Sequence, residues 1–533
     1  MKKSCPFAAH GLLCLILIWL FSGCMLSHLG KTGAADLAPY IPADIQEPIE
    51  DTSQFAFTLE NPPGPLPMPF KKTADDPLAL SLEQAVMMAL ENNQDLETRL
   101  LSPVIAGAFE QMEKAMYDPE LFARIGISRE MVTESASKET AFITAAGIRR
   151  SLPFGTTLAA EAAHGQDQAK GTPDPDKTRV TLSVTQALLQ GAGPAGGMVR
   201  IRQSELETRA SIHELTAFVQ ALVAETEITY WQFVLARQEH AIVERSLSVS
   251  KKQKIDVQHQ IDVGVLPRNE LAAVQSEVAR REQALIDSAN KVEAFRLQLL
   301  HLLHPGTTDH LAQPVLAVTD PAIDPVPITD MDERSDLALK LRPDLAEARL
   351  RMDQNRLETI ITHNGMLPRL DFFMDLGIAG FSSRSKDAIQ SLGNGDYEVF
   401  AGLSVSRFVG NRPGKARHQA AKAGYHQAVE ALENLVRTIN LDVRLAVNET
   451  ERARQQITAS RITRRYEEQT VAAEIERFNV GAGTALLVAQ ARRDLLVSQI
   501  AEVRAVINYR IARIRLFLAE GSLLQRRGVI LQY

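Results

Sequence analysis

Four short constellations in this chain carry residue types that do chemistry in other settings. Gly191-Ala-Gly193-Pro-Ala-Gly196 matches G-x-G-x-x-G, a pattern whose glycines let the backbone approach a dinucleotide pyrophosphate at a helix N-terminus. It follows a strand-like stretch and precedes a helix. That helix runs on for 65 residues, whereas a βαβ unit needs a short crossover helix, so the glycines read as a flexible strand-to-helix corner. Gly410-Asn-Arg-Pro-Gly414-Lys415 occupies a matching corner later in the chain. It is one residue short of a P-loop, and Ala416 lacks the hydroxyl that binds magnesium. Arg412, Lys415 and Arg417 then serve to solvate that corner. His301-Leu-Leu-His304 has helical metal-ligand spacing, but Pro305 ends the helix and no third ligand lies nearby, which predicts an exposed helix end. Asp95 and Asp344 could pair as carboxylates; each reads more simply as a helix-surface residue in a repeated motif. With no Ser/His/Asp or Cys/His set, neither catalysis nor a cofactor or metal is expected.

The elements that carry these residues occur twice. Leu90-Glu-Asn-Asn-Gln-Asp95-Leu96 with Pro119 is matched by Leu339-Lys-Leu-Arg-Pro-Asp344-Leu345 with Pro368, at an offset of 249 in both places. Val263-Gly264 returns as Val480-Gly481, 217 residues on, and Leu182-Ser-Val-Thr185 is echoed by Leu403-Ser-Val-Ser406. Marks in one order, twice, predict a duplicated helix–strand–helix plan. Ser81 with Gln84 forms a capping box opening a helix to about Met116, where Asp118-Pro119 stops it. Asp332 or Ser335 opens its counterpart, closed by Gly365 and Pro368. Strand-like segments follow each: 121–127, 141–148 and 180–185, then 370–376 and 399–405. The first strand region is the larger and predicts an additional hairpin or a longer loop. Met198–Asp262 contains neither Pro nor Gly, and Lys415–Asn479 contains only Gly424. As helices these are about 98 Å long, too long for a compact domain. The heptad Leu271, Val278, Leu285, Val292, Leu299 and its counterpart Val488, Leu495, Glu502, Tyr509, Leu516 predict helix seams, with Ala491, Ala505, Ala512 and Ala519 allowing close approach.

The net charge of −7 offers no footprint for nucleic acid. The 5% aromatic and 23% charged content suits long amphipathic helices. Lys2, Lys3 and the apolar run Gly11–Leu20 predict a signal peptide over 1–23, a signal anchor being the alternative. Phe21-Ser22-Gly23-Cys24 resembles a bacterial lipobox, which implies acylation of Cys24 and a mature chain without thiols; Met25 after the cysteine implies sorting to the outer membrane. Residues 24–78 read as a lipid-anchored Pro-rich tether. The first repeat spans 79–304, a Pro-rich linker 305–330, the second repeat 331–521, and a tail 522–533.

Taken together, these marks resemble the TolC-like outer membrane efflux proteins over about residues 80–520. The resemblance is carried by Leu82-Glu-Gln-Ala85, Asn92-Asn-Gln-Asp-Leu96, Arg342-Pro-Asp-Leu345, Tyr230-Trp231, Val263-Gly264-Val-Leu-Pro-Arg-Asn-Glu270 and Arg477-Phe-Asn-Val-Gly481. It implies a mainly α protein with a β-barrel portion. Three copies would share a 12-stranded outer membrane barrel, and their long antiparallel helices would form an α-helical tunnel across the periplasm of a Gram-negative bacterium. It also implies a periplasmic adaptor (membrane fusion) protein, an inner-membrane transporter and outer membrane lipid as partners. Independently, no segment after the signal is apolar enough to span as a helix, so a spanning part must be β and closed. The tip and gate candidates are Gly264, Glu270, Gly481, Leu487 and Gln490; the corner candidates are Gly191, Gly193, Gly196, Gly410 and Gly414. Leu487 and Gln490 stand where the family's acidic constriction would be, so an apolar or mixed constriction and plain packing of Leu487 both remain open. A periplasmic coiled-coil adaptor or scaffold lipoprotein is the rival reading; it accounts for the helices but not for the duplicated strands.

Overall fold

The computed structural model describes residues 56–59, 77–132, 137–168, 176–304, 310–382 and 396–532. The signal peptide, Cys24, most of the tether and the start of the linker lie outside the described residues. Strands β1 (Ala56–Leu59) and β2 (Leu78–Leu80) come first, then helices α1 (Leu82–Asn92) and α2 (Gln94–Ala115). Ser81 and Gln84 form the expected capping box. The single helix expected as far as Met116 is instead two. Asn93 leaves the helical region, and its side chain accepts from the Leu96 N–H at 3.0 Å, capping α2. The same break recurs at Arg342, between α6 (Met331–Leu341) and α7 (Pro343–Asn364), where Pro343 cannot continue a helix's hydrogen bonds. All four boundaries repeat at the offset of 249. The duplicated motif therefore encodes a helix break, and Asp344 serves it by accepting from Arg342 and from the Leu345 N–H.

Between and after these helices lie β3 (Glu120–Val132), β4 (Ser137–Leu152), β5 (Thr156–Gln168) and β6 (Asp176–Ala187) from the first repeat, and β8 (Arg369–Ser382) and β9 (Asp396–Ser406) from the second. They form one antiparallel sheet in the order β3-β4-β5-β6-β8-β9. The larger first strand region is thus an additional hairpin. A 12-stranded barrel shared by three copies takes four strands from each; the described sheet of this chain holds six. Register puts Leu121, Ile148, Leu158, Val180, Leu182, Leu376 and Val399 on one face. Arg124, Arg149, Glu161, Arg179, Asp375 and Glu398 share the other. On that polar face Arg149 pairs with Glu120, and Arg179 reaches across Gly377 to Glu398.

Short α3 (Pro194–Gly197) leads into α4 (Val199–Asp262), which returns as α5 (Glu270–Leu303). In the second repeat α8 (Arg412–Asn479) returns as α9 (Ala485–Ala519). Each long helix is unbroken, 64 and 68 residues, about 96 and 102 Å. The hairpins close along the expected seams, where Val278, Leu299, Val488, Tyr509, Leu516, Ala505 and Ala512 are buried. α1 and α2 pack on α4, and α7 packs on both α4 and α8. Among the described residues no helix is long and apolar enough to cross a membrane.

The linker is more than a spacer. Its β7 (Val315–Ala317) pairs in parallel with β2. Tyr230, fully buried, donates to the Leu80 carbonyl and accepts from the Thr319 N–H. Further on, the Val326 N–H donates to the Tyr509 hydroxyl, and Arg510 donates to the carbonyls of Pro321 and Ala322 while stacking 4.3 Å over Trp231. The tail is folded as well: α10 (Leu523–Arg526) precedes β10 (Val529–Gln532), which pairs with β1. Long-range strand pairing of three or four residues leaves no periodic signal in the sequence.

Two buried carboxylates fix this belt. Glu520 takes Arg334 and Arg526, and Glu227 takes both arms of Arg527 at 2.6 Å. Burial pushes the Glu227 carboxyl above the usual range, and the Arg527 charge opposes it. A carboxyl raised in this way favours folding below its unfolded pKa and loses that contribution as pH rises through the folded value. Arg527→Ala strands the carboxylate and should cost about 2 kcal/mol, discounted because Arg527 is a third exposed. In thermal melts followed by circular dichroism the deficit should be larger at pH 8 than at pH 5, and Glu227→Gln in the same chain should recover part of it.

Candidate functional site: helical tips and strand-to-helix corners

At the far end of α4 the chain turns at Gly264, whose φ of 78° is open to glycine without strain. The Gly264 N–H donates to Ile261 and the Val265 N–H to Gln260, a Schellman pattern. Gly481, at φ 75°, repeats it with Phe478, while Ala482 donates to Arg477. Both predicted tip glycines therefore do the same work in both repeats.

The tips pack against each other. Val257, Val274 and Ala485 form a buried cluster with Ile261, Leu266 and Phe478 around it. Glu270 is brought to this contact. Its carboxylate accepts from the Ala485 N–H at 3.0 Å, so the first hairpin caps the N-terminus of α9 in the second, where an anion is favoured by the helix dipole. Leu487 and Gln490 are not brought together with it. Both lie exposed on α9, Leu487 at 44%, while their neighbours Val488 and Ala489 are buried. Leu487 stands outside the buried tip cluster, and the exposed part of its side chain is available to whatever α9 faces.

Sequence reasoning missed Arg492. Its guanidinium donates to the Gln253 Oε1 at 2.6 Å, a second tie between the hairpins. Burial pushes its pKa below the ordinary arginine value, and the Asp256 charge acts the other way. Only its helical spacing from Val488, four residues earlier on the predicted seam, could have placed it there.

At the other end, the corner glycines divide by role. Gly191 and Gly193 have positive φ, 84° and 72°. The Gly191 N–H donates to the Asn364 Oδ1, and the Gly193 N–H donates to the Phe154 carbonyl in the turn between β4 and β5. Gly196 fits because a Cβ there would meet the Gly191 backbone at 2.6 Å. Gly197, which the sequence pattern did not single out, faces the Pro153 carbonyl, 2.0 Å from where a Cβ would stand. The pattern thus admits backbone to backbone, not a nucleotide. At the second corner Gly410 turns at φ 81° and Asn411 at 38°. Gly414 is no part of that turn: it lies in the first turn of α8, donating to the Asn411 side chain.

The histidine pair ends α5, with rings 5.3 Å apart and His304 in the left-handed region. Among the described residues no group of three or more His, Cys, Asp or Glu could hold a metal ion.

Residues 335–522 match the family described as outer membrane efflux protein. No curated protein matches the chain by sequence. Among solved structures, the CmeC outer membrane channel of Campylobacter jejuni is similar at 16% identity and a TM-score of 0.63, over 84% of this chain and 89% of that one. VceC of Vibrio cholerae gives 17% and 0.63, over 83% and 96%. The open state of the Neisseria gonorrhoeae MtrE channel gives 17% and 0.59, over 91% and 98%. The chain has the fold of the TolC-like channels, α-helical hairpins joined to a β-sheet portion.

Glu270→Ala should raise amide exchange at Ala485 and Leu486 by several-fold, measured by mass spectrometry, because the first turn of α9 loses its acceptor. Glu270→Gln keeps an acceptor and should change it little. Equal exchange in all three chains would show that the capping contact does not hold the tip.

Proposed function

We propose that three copies of this chain form a passive exit duct of a tripartite efflux or type I secretion system. The chain is an outer membrane efflux channel, and its second repeat carries the family match. The duct reading rests on one observation: a sheet apolar on one face and polar on the other hands over, at β6 and at β9, to helical hairpins about 100 Å long. The apolar face suits lipid and the polar face a wet lumen. A periplasmic adaptor has no use for such a sheet. Transport energy comes from an inner-membrane transporter, joined to the duct by a periplasmic adaptor; the chain itself carries out no reaction.

A stripe on α2 supports the homotrimer. Leu101, Ile105, Phe109 and Met112, with Met116 at the helix's C-cap, fall on one face and are about half exposed or more. Leu441, Leu445, Ile462 and Tyr466 do the same on α8. Exposed apolar rows of this length mark contact surfaces, and side-by-side copies would cover both. The tips close the duct: Glu270 and Arg492 hold the two hairpins of each copy together, and Leu487 and Gln490 give the constriction an apolar and neutral polar lining. Cys24, outside the described residues, is the acylated first residue of the mature chain, anchoring each copy to outer membrane lipid; intact mass of the mature N-terminus checks this, and an unmodified residue 24 would refute it.

In mild detergent the protein should run as a trimer that heat converts to monomer. In planar bilayers, Glu270→Ala combined with Arg492→Ala should conduct in discrete steps more often than the unaltered chain. Leu487→Glu should move ion selectivity toward cations. A chain that stays monomeric and never conducts, even with both tip contacts removed, would sink the duct reading.

A further inference from the structure

The hairpin β4–β5 is built as part of the spanning sheet. It obeys the face alternation of its neighbours: Ala146, Ile148, Leu158 and Ala160 share the apolar face, Arg149 and Glu161 the polar one. It is also seated at its inner end. The Gly155 carbonyl accepts from the Ala187 N–H at 2.9 Å, and the Phe154 carbonyl accepts from Gly193 at 3.1 Å. Gly197 gives the Pro153 carbonyl room that any side chain would fill. Among the described residues, no hairpin rests on the corresponding second corner, at Gly410. No helix continues from this turn, so the sheet has two more strands than its helices carry.

The sheet is open at two long edges. Among the described residues β3 pairs only with β4, and β9 only with β8. Leu121 and Ile125 on β3 are 80% and 76% exposed; Val399 and Leu403 on β9 are 56% and 64%. In hydrocarbon an unpaired edge leaves its N–H and C=O groups unsatisfied at several kcal/mol each, which only closure avoids. The two edges fit. Six strands of alternating direction make the first and last opposite, so β9 of one copy meets β3 of the next in the antiparallel pairing used across the whole sheet, with apolar faces continuous.

We infer that β9 of each copy pairs with β3 of a second copy, and that three six-stranded sheets close into a barrel of 18 strands rather than 12. This rests on the trimeric reading above. Barrel diameter grows roughly linearly with strand number, so the outer mouth is about half again as wide as a 12-stranded one and belongs with barrels that hold an open aqueous channel. The mouth is then wider than the tunnel beneath it, and the seats at Gly193 and Gly197 are where the excess hairpins rest on the tunnel rim.

The test uses the full chain in native membranes. Ile125→Cys is combined in turn with Val399→Cys, Ala401→Cys and Leu403→Cys, oxidised, and compared with the single-cysteine chains; strands are counted in electron density of the purified protein. At least one pair should give cross-linked dimers and trimers that resist heat, and the density should show 18 strands. Trimers that form without any β3–β9 cross-link, or density with 12 strands, would overturn the inference while leaving the trimeric duct intact. A protein that is monomeric before oxidation would overturn the trimeric reading itself. Removal of residues 137–168 supplies an independent arm: β3 then joins β6, and the trimer should persist with 12 strands. Loss of the trimer in that variant, alongside negative cross-links, would also count against the inference.

Discussion

A backbone amide in hydrocarbon must find a carbonyl, and no described helix of this chain is apolar enough to provide one there. Everything at the sheet end follows from that constraint. The strands are 11 to 16 residues long, sufficient to cross an outer membrane when tilted. Their side chains alternate so that one face tolerates lipid. One copy's sheet cannot satisfy its own edges, so the fold of a single chain is incomplete in the membrane. On the trimeric reading, oligomerisation is a hydrogen-bonding necessity before it is a functional choice.

The helical end answers a different demand. Two unbroken helices of more than 60 residues cannot be stabilised by their own propensity against bending, so they are held where they pass the belt of short elements. Three fully buried polar side chains lie in that belt, Tyr230, Glu227 and Glu520, and each is paired. An unpaired partner there is costly, so the arrangement specifies one register between repeats that apolar seams alone would leave free to slide. The linker and tail contribute most of the partners. The two halves of the duplication, which also touch directly at β6–β8 and at the tips, are therefore tied in addition through segments that are not duplicated.

Much of this was legible in the sequence, and the reasons are local. Helix length shows as absence of Pro and Gly, and tip turns as glycine after the last periodic residue. The strand-length difference between repeats announced the additional hairpin at β4–β5. Other features were legible in position but not in meaning. The motif around Asp95 and Asp344 was visible as a repeat, yet that it breaks a helix depended on Asn93 and Pro343 acting as cap and stop. Gly191, Gly193 and Gly196 were visible as a corner, yet what closes on it, the Phe154 carbonyl on the Gly193 N–H and Pro153 against Gly197, lies some 40 residues away in sequence. The pairings β1–β10 and β2–β7 were invisible, since three- and four-residue strands brought together across the chain have no pattern of their own.

The tip shows how a duplicated plan acquires direction. Gly264 and Gly481 keep both turns alike, because a Schellman turn constrains backbone and leaves side chains free. Divergence is thus cheapest just past the turn. In the first repeat Glu270 spends its charge on the other hairpin's helix end, where the dipole favours it. In the second, the matching position is Leu487, which contacts nothing comparable and stays exposed. One repeat holds and the other presents. A pore lined by the presenting hairpin would meet an apolar side chain where a charge would have attracted water, and would close by excluding water rather than by binding an ion. The same asymmetry runs to the opposite end, where, among the described residues, the first repeat's corner alone seats a hairpin. Pseudo-symmetry supplies the length of the tunnel; what distinguishes its two ends is placed where the repeats part.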